Sequence, residues 1–381
     1  MKYIIRFFLI LALLISLIAI GLKITGNGFL IRGVWITYLH GETSATIDDL
    51  KFFDSDTIAS SEKKSPWDIH PDYNKTTLSD SLKKTLEISE SVAFLVLKED
   101  QIIHEEYWDD YSDSSLSNSF SMAKSITTML VQIAIEKGYI KSWDQKVVDF
   151  LDELKGEYVN KLSFKHLSTM TAGLDWNEHY TNPFDITAKT YYGRNVSQLM
   201  FDEVSVKMEP GKTYEYQSGA TQILGMALEK ATGKSLAKMA SEWLWKPMGA
   251  EHDAFWRIDD NGGKALSFCC FNSNVRDYAR FGKLLSHHGN WEGEQLLDSA
   301  FISLASSPFK VPYYGYSFWI DDQHFETPIY YMRGILGQYI ISIPEKDLVI
   351  VRLGKHRLAK AEGSVHPIDF IAICAEVMKD F

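Results

Sequence analysis

Apolar residues run from Phe7 to Leu22 with Ser16 as the one interruption, between Arg6 and Lys23. Ile4, Ile5 and snorkelling of the two flanking cations lengthen this run toward the roughly 20 residues that a membrane span needs. It is read as an uncleaved transmembrane helix, residues 1–25. A cleaved secretory signal with Ala19-x-Gly21 as its processing site is the alternative. Lys2 and Arg6 at the tip predict a single pass through the inner membrane, with the body on the periplasmic side. From 26 to 78 the apolar residues scatter among polar clusters such as Ser60-Ser61-Glu62-Lys63-Lys64-Ser65-Pro66. This connecting arm either drapes on the body or acts as a stalk.

From 79 to 381 the pattern is dense enough for one large core. Ser91–Leu97 and Gln101–Trp108 read as strands around the turn Lys98-Glu99-Asp100. Ala123, Ile126, Met129, Leu130, Ile133 and Ile135 recur at helical spacing until Gly138. A second helix runs from Ala220 to Lys230 and stops near Gly233. Strand residues lead into Gly334, a second strand follows Gly337-Gln338, and a third spans Leu348–Leu353. A C-terminal apolar helix covers Ile368–Met378. Strands at both ends and helices between them predict an α/β (α+β) fold. Its antiparallel sheet is built from both ends of the chain, with a helical domain inserted.

Charge and cysteine content narrow the function classes. A formal net charge of −11 argues against a nucleic-acid partner. Of three cysteines, Cys269 and Cys270 are adjacent, which predicts no bridge between them, and Cys374 reads as core. His104-Glu105-Glu106 is read as solvated, and His287-His288 as a helix-end pair. Neither has metal-site character, and no phosphate loop, Gly-x-Ser-x-Gly elbow or His-Glu-x-x-His occurs. No cofactor or metal is expected.

The chemistry concentrates in three places. Ser121-Met122-Ala123-Lys124 opens the helix that follows the strand pair, so Lys124 lies one turn on from Ser121, on the same face. Ser-x-x-Lys also occurs at Ser60 and Ser61, in a polar stretch with no apolar period, at Ser307, directly before Pro308, and at Ser81 and Ser235, which no strand pair precedes. A helix-capping serine is the bland reading of Ser121. Tyr216-x-Ser218 follows the turn Pro210-Gly211 and precedes a helix. A tyrosine near a lysine amine has its pKa lowered by the positive charge, which suits proton transfer; a core tyrosine is the bland reading. Gly334 interrupts a strand, marking close backbone approach, or else a hairpin bulge.

In this order, the three motifs resemble the serine β-lactamase and penicillin-binding-protein superfamily. The wording is closest to the branch of class C β-lactamases, family VIII esterases and 6-aminohexanoate-dimer (nylon oligomer) hydrolases. His166–Trp176 and Arg276–Leu285 resemble flanking family segments, and the resemblance covers about Leu78 to Phe381. It implies a β-lactamase/transpeptidase-like fold, with Ser121 as acylated nucleophile, Lys124 as charge partner and Tyr216 as general base and acid. The backbone N–H groups of Ser121 and Ile335 would form the oxyanion hole, each donor contributing about 2.7–4 kcal/mol. Trp176, Tyr180, Ser218, Arg333, Gly334 and Gln338 are the candidate substrate contacts. The family's Lys-Thr-Gly is replaced here by Met332-Arg333-Gly334. Without that carboxylate grip, the implied activity is hydrolysis of small esters, amides or peptide-like substrates. A peptidoglycan peptidase or weak β-lactamase is the runner-up, and a non-hydrolytic penicillin sensor the third reading.

Overall fold

The computed structural model describes residues 1–260, 262–321 and 323–381. The chain opens with helices α1 (Lys2–Ile24) and α2 (Phe29–Ile36), a short strand β1 (Ser55–Ile58) and helix α3 (Asp80–Ile88). Strands β2 (Ser91–Lys98), β3 (Gln101–Tyr107) and β4 (Ser117–Asn118) lead into helix α4 (Met122–Glu136). The helical middle holds α5 (Phe164–Ser168), α6 (Ile186–Tyr192), α7 (Val196–Glu203), α8 (Ser218–Thr232) and α9 (Leu236–Ala240). Strands β5 (Ala254–Arg257) and β6 (Phe271–Ser273) precede α10 (Val275–Ser286), the hairpin β7 (Asn290–Trp291) and β8 (Glu294–Gln295), and α11 (Ser299–Ala305). The chain ends with β9 (Trp319–Ile320), β10 (Tyr330–Gly334), β11 (Gln338–Ile343), β12 (Leu348–Gly354) and α12 (Ile368–Asp380).

The main sheet has the order β3-β2-β12-β11-β10-β9, and its paired strands are antiparallel. Strands from the two ends of the chain meet at its centre, with Val96 opposite Ile350. Helices cover both faces, so β2 and β12 read as apolar runs with little alternation. Gly282 of α10 explains how one helix lies close: a Cβ there would sit 2.2 Å from Val349. On the other face Phe370 of α12 stacks on Tyr331 at 4.0 Å between ring centroids.

Both-face cover also corrects the reading of His104-Glu105-Glu106. His104 is buried near the Phe381 ring, and burial pulls its pKa down. Glu105 is buried too: Arg276 donates to it from Nε at 2.9 Å, and the Tyr73 and Tyr107 hydroxyls donate at 2.8 Å each. Glu106 alone of the three stays exposed.

The arm drapes on the body. β1 pairs with β5 in a second sheet of order β1-β5-β6-β4. Trp67 donates its indole N–H to the carbonyl of Arg276 at 2.9 Å, and the Asn118 N–H bonds the Ile47 carbonyl. Helix α1 is long and apolar enough to cross a membrane, and none of its residues is buried.

Candidate active site

The strand β4 fixes the approach to α4. The Ser119 N–H donates to Phe271 O, and the Phe120 N–H to Asn118 Oδ1 at 2.8 Å. Phe120 then takes φ +43°, a left-handed conformation rare for a bulky residue and common where a site holds strain. Ser121 follows at the helix N-cap, yet its hydroxyl makes no capping bond. Ser235, one of the other Ser-x-x-Lys serines, does what the bland reading requires: it caps α9 by accepting the Lys238 N–H at 3.3 Å. Lys124 is buried, with Nζ 3.0 Å from Ser121 Oγ and 2.9 Å from Phe268 O. Burial lowers its pKa to about 8, opposed by the Glu178 carboxylate.

Tyr216 enters from the turn at Gly211, which takes φ +84°. The Lys124 ammonium nitrogen lies 5.2 Å from its ring centroid. Burial and then Glu178 push the Tyr216 phenol up, against a smaller downward pull from Ser121. The sequence suggested a phenol lowered by Lys124; the structure places Lys124 over the ring face and makes burial the dominant influence. The neutral phenol is therefore the resting form.

Ser218 lies in the same cavity as Ser121, Trp176, Tyr180, Ile335 and Leu336. Its N–H and hydroxyl both donate to Glu178, at 2.6 and 2.5 Å. Trp176 donates its indole N–H to Glu178 at 2.6 Å, and the Tyr180 hydroxyl donates to the same carboxylate. Both aromatic candidates thus line the cavity, tied together by a glutamate that motif reading passed over. A glycine at 219 makes room for Trp176, whose ring would lie 2.4 Å from a Cβ there.

Gly334 meets the backbone just before Ser121: a Cβ would lie 2.3 Å from Ser119 O. The next residue, Ile335, reaches the cavity, and Leu336 after it takes φ +62°. Arg333 and Gln338 are not brought to the cavity wall. The Arg333 guanidinium carbon stacks 3.2 Å over the Trp319 ring, and Nη1 donates to Val365 O at 3.0 Å. Gln338 is buried and spans to Ile335 O and Gly354 O, bracing the strand exchange.

Two further groupings lay outside motif reading. Cys269 and Cys270 are bridged, contrary to the expectation from adjacency. Cys270 takes φ +69°, turning the chain between them, and Cys269 borders the cavity. Asp321, His324 and His366 bring ligand-type atoms within 4.8 Å of one another. Asp321 accepts from the His324 ring at 2.6 Å, and His366 Nδ1 pairs with the Tyr331 hydroxyl at 2.8 Å.

Comparison with known proteins places this geometry. The Beta-lactamase family model matches residues 84–362. The 6-aminohexanoate-dimer hydrolase of Paenarthrobacter ureafaciens is 26% identical over 234 residues, 58% of this chain and 58% of that protein. The chain thus aligns with under two thirds of that relative's length. A Bacillus anthracis structure assigned as a 6-aminohexanoate-dimer hydrolase superposes with a TM-score of 0.76 at 21% identity, over 91% of this chain and 94% of that one. A family VIII carboxylesterase superposes with a TM-score of 0.61 at 14% identity, over 83% and 99%. Both share the β-lactamase/transpeptidase-like fold described above, and the match over most of the chain makes this protein a member of the Beta-lactamase family.

Proposed function

We propose that the protein is a serine hydrolase that cleaves ester or amide bonds through an acyl-enzyme. The observation that carries this reading is the uncapped Ser121 hydroxyl 3.0 Å from a buried amine whose pKa lies at about 8. A neutral amine is an effective base near its own pKa. Ser121 Oγ attacks the substrate carbonyl carbon while Lys124 takes the Oγ proton. The negative oxygen sits against the N–H groups of Ser121 and Ile335. Tyr216, resting as the neutral phenol, gives its proton to the departing alkoxide or amine, and Lys124 restores it. Water then adds to the acyl-enzyme as Lys124, neutral again, accepts its proton and passes it to the departing Ser121 Oγ, releasing a carboxylic acid and regenerating Ser121.

The substrate proposal is a neutral ester or amide. Met332 stands in the place of the family's lysine and the Arg333 guanidinium is secluded under Trp319, so an anionic β-lactam loses a charge-assisted contact there. Three substrates test this: a p-nitrophenyl ester, a 6-aminohexanoate oligomer and nitrocefin. The neutral substrates should have the higher kcat/KM. Efficient nitrocefin turnover that collapses in Arg333→Ala would show the guanidinium to be the anion grip and overturn the assignment. A fluorophosphonate probe should label the peptide carrying Ser121; labelling without turnover would favour the sensor reading.

We also propose that α1 anchors the protein, with the catalytic body on the periplasmic side. Support comes from its wholly exposed apolar surface, the basic tip at Lys2 and Arg6, and the Cys269–Cys270 bridge, which belongs in an oxidising compartment. Resistance to carbonate extraction together with protease accessibility from outside the membrane checks it. Release into the soluble fraction would show a cleaved signal instead.

A further inference from the structure

The cavity beside Ser121 is not closed by the catalytic body alone. Helix α2 of the arm supplies Leu30, Gly33 and Val34 to the lining, Tyr38 follows just past its end, and Ala188, Tyr191 and Tyr192 of α6 line the cavity as well. The cavity measures about 290 Å³. Ser121 and Ser218 belong to the catalytic body, while the residues that α2 itself contributes, Leu30, Gly33 and Val34, are apolar; beyond its end the arm adds Thr37, Thr43 and Ser44. The seating of α2 is built into the fold. Gly33 lets α2 approach until a Cβ would sit 3.4 Å from the Tyr192 ring, and Arg32 donates to Gly193 O at 3.4 Å.

The same helix is the first element after α1. Four residues separate Ile24 from Phe29, and the Asn27 N–H bonds Leu22 O, tying the turn to the end of the span. Leu30 lies six residues beyond Ile24, so it cannot be more than ~20 Å from the end of α1. The polar layer of a bilayer is itself ~5–8 Å thick on each side. Side chains at and beside the cavity rim are apolar and exposed: Val34, Trp35, Tyr38, Leu39 and Phe184. Aromatic residues of this kind settle at membrane surfaces.

We propose that this cavity binds the acyl chain of an amphiphilic ester or amide drawn from the membrane, laying the chain along α2 with its carbonyl at Ser121. The proposal rests on the hydrolase reading for its chemistry. Ser121 Oγ bonds the carbonyl carbon, the C–O or C–N bond breaks, the alcohol or amine leaves with a proton, and water releases the fatty acid.

The test uses the full chain in detergent and in lipid nanodiscs. A neutral alkyl ether bearing a terminal diazirine should crosslink, beyond α1, to the peptides holding Leu30–Thr37 and Tyr191–Tyr192. An excess of decanol should compete the label away. Val34→Glu should reduce it at least tenfold and Val34→Leu should retain it. With p-nitrophenyl esters in detergent, kcat/KM should rise about fourfold per added methylene from acetate toward octanoate, the equivalent of ~0.8 kcal/mol each. That gradient should flatten in Val34→Glu. In nanodiscs the rate should follow the substrate's mole fraction in the lipid. Labelling confined to α1, or equal kcat/KM for acetate and octanoate, would overturn the acyl site. A rate set by bulk concentration would overturn the membrane source. Labelling that follows the expected pattern without turnover of any ester would support the acyl site and sink the hydrolase reading instead.

Discussion

Lys124 pairs a full helical turn of separation from Ser121 with complete burial, and both facts act on its proton. Desolvation disfavours the charged amine and brings its pKa to about 8, while Glu178 pulls the other way. If the neutral amine is the base, activity is held back below that value and gained above it. The kcat/KM of a neutral ester should therefore rise with pH and level off above about 8, in a profile recorded from pH 5 to 10. In Glu178→Gln the opposing charge is gone, so the rising limb should move to lower pH; a limb that stays or moves upward would show that Glu178 does not act on Lys124. Lys124→Ala and Tyr216→Phe should each lower kcat by roughly 10²–10⁴, with less than additive effect together. The closeness of Ser121 to Lys124 was legible from local spacing, and the approach of Tyr216 to Lys124 from the order of the motifs. Glu178 was not, because its place is defined by Trp176, Tyr180 and Ser218, which converge on it only when the segment 174–180 folds against α8. Gln217 holds that segment there, through Leu174 and Trp176.

Among elements, the strand β10 is held close to the segment before Ser121. Gly334 has φ −108°, so backbone freedom is not the reason for glycine; the Ser119 carbonyl is. Gly334→Ala should cost about 1–3 kcal/mol by overpacking and should also lower kcat, since the displaced backbone carries Ile335. A reduced denaturant midpoint at unchanged slope, with kcat measured on the folded fraction, checks both effects. The interior strands and helices were legible from periodicity, and α12 starts at Ile368 as read. The character of β3 was not: its charged residues looked solvated, and only the docking of α10 brings Arg276 to Glu105. Removing Arg276 leaves the buried carboxylate without its counter-charge, held by the Tyr73 and Tyr107 hydroxyls alone, so Arg276→Ala should destabilise by about 3–5 kcal/mol. A variant within 1 kcal/mol of the parent would show that water reaches Glu105. The Cys269–Cys270 bridge was missed because usual disulfide spacing describes separated cysteines, whereas the left-handed Cys270 turns the two sulfurs together.

For the whole molecule, the sheet drawn from both ends was legible because strand patterns cluster at the two ends of the body. The seating of the arm was not. β1 is four residues long, and its partner β5 begins at Ala254, so no local pattern announces the pairing. The joining of β2 to β12 has a consequence in time. β12 begins at Leu348, 250 residues after β2 ends at Lys98. At the usual pace of synthesis, about 5–20 residues per second, β2 waits roughly 12–50 seconds for its neighbour. For most of that interval Ser121 and Lys124 already exist in the chain, but β10 and the N–H of Ile335 do not. On the proposed mechanism the nascent protein is chemically silent, and its first turnover comes only once the closing strands of the sheet have arrived.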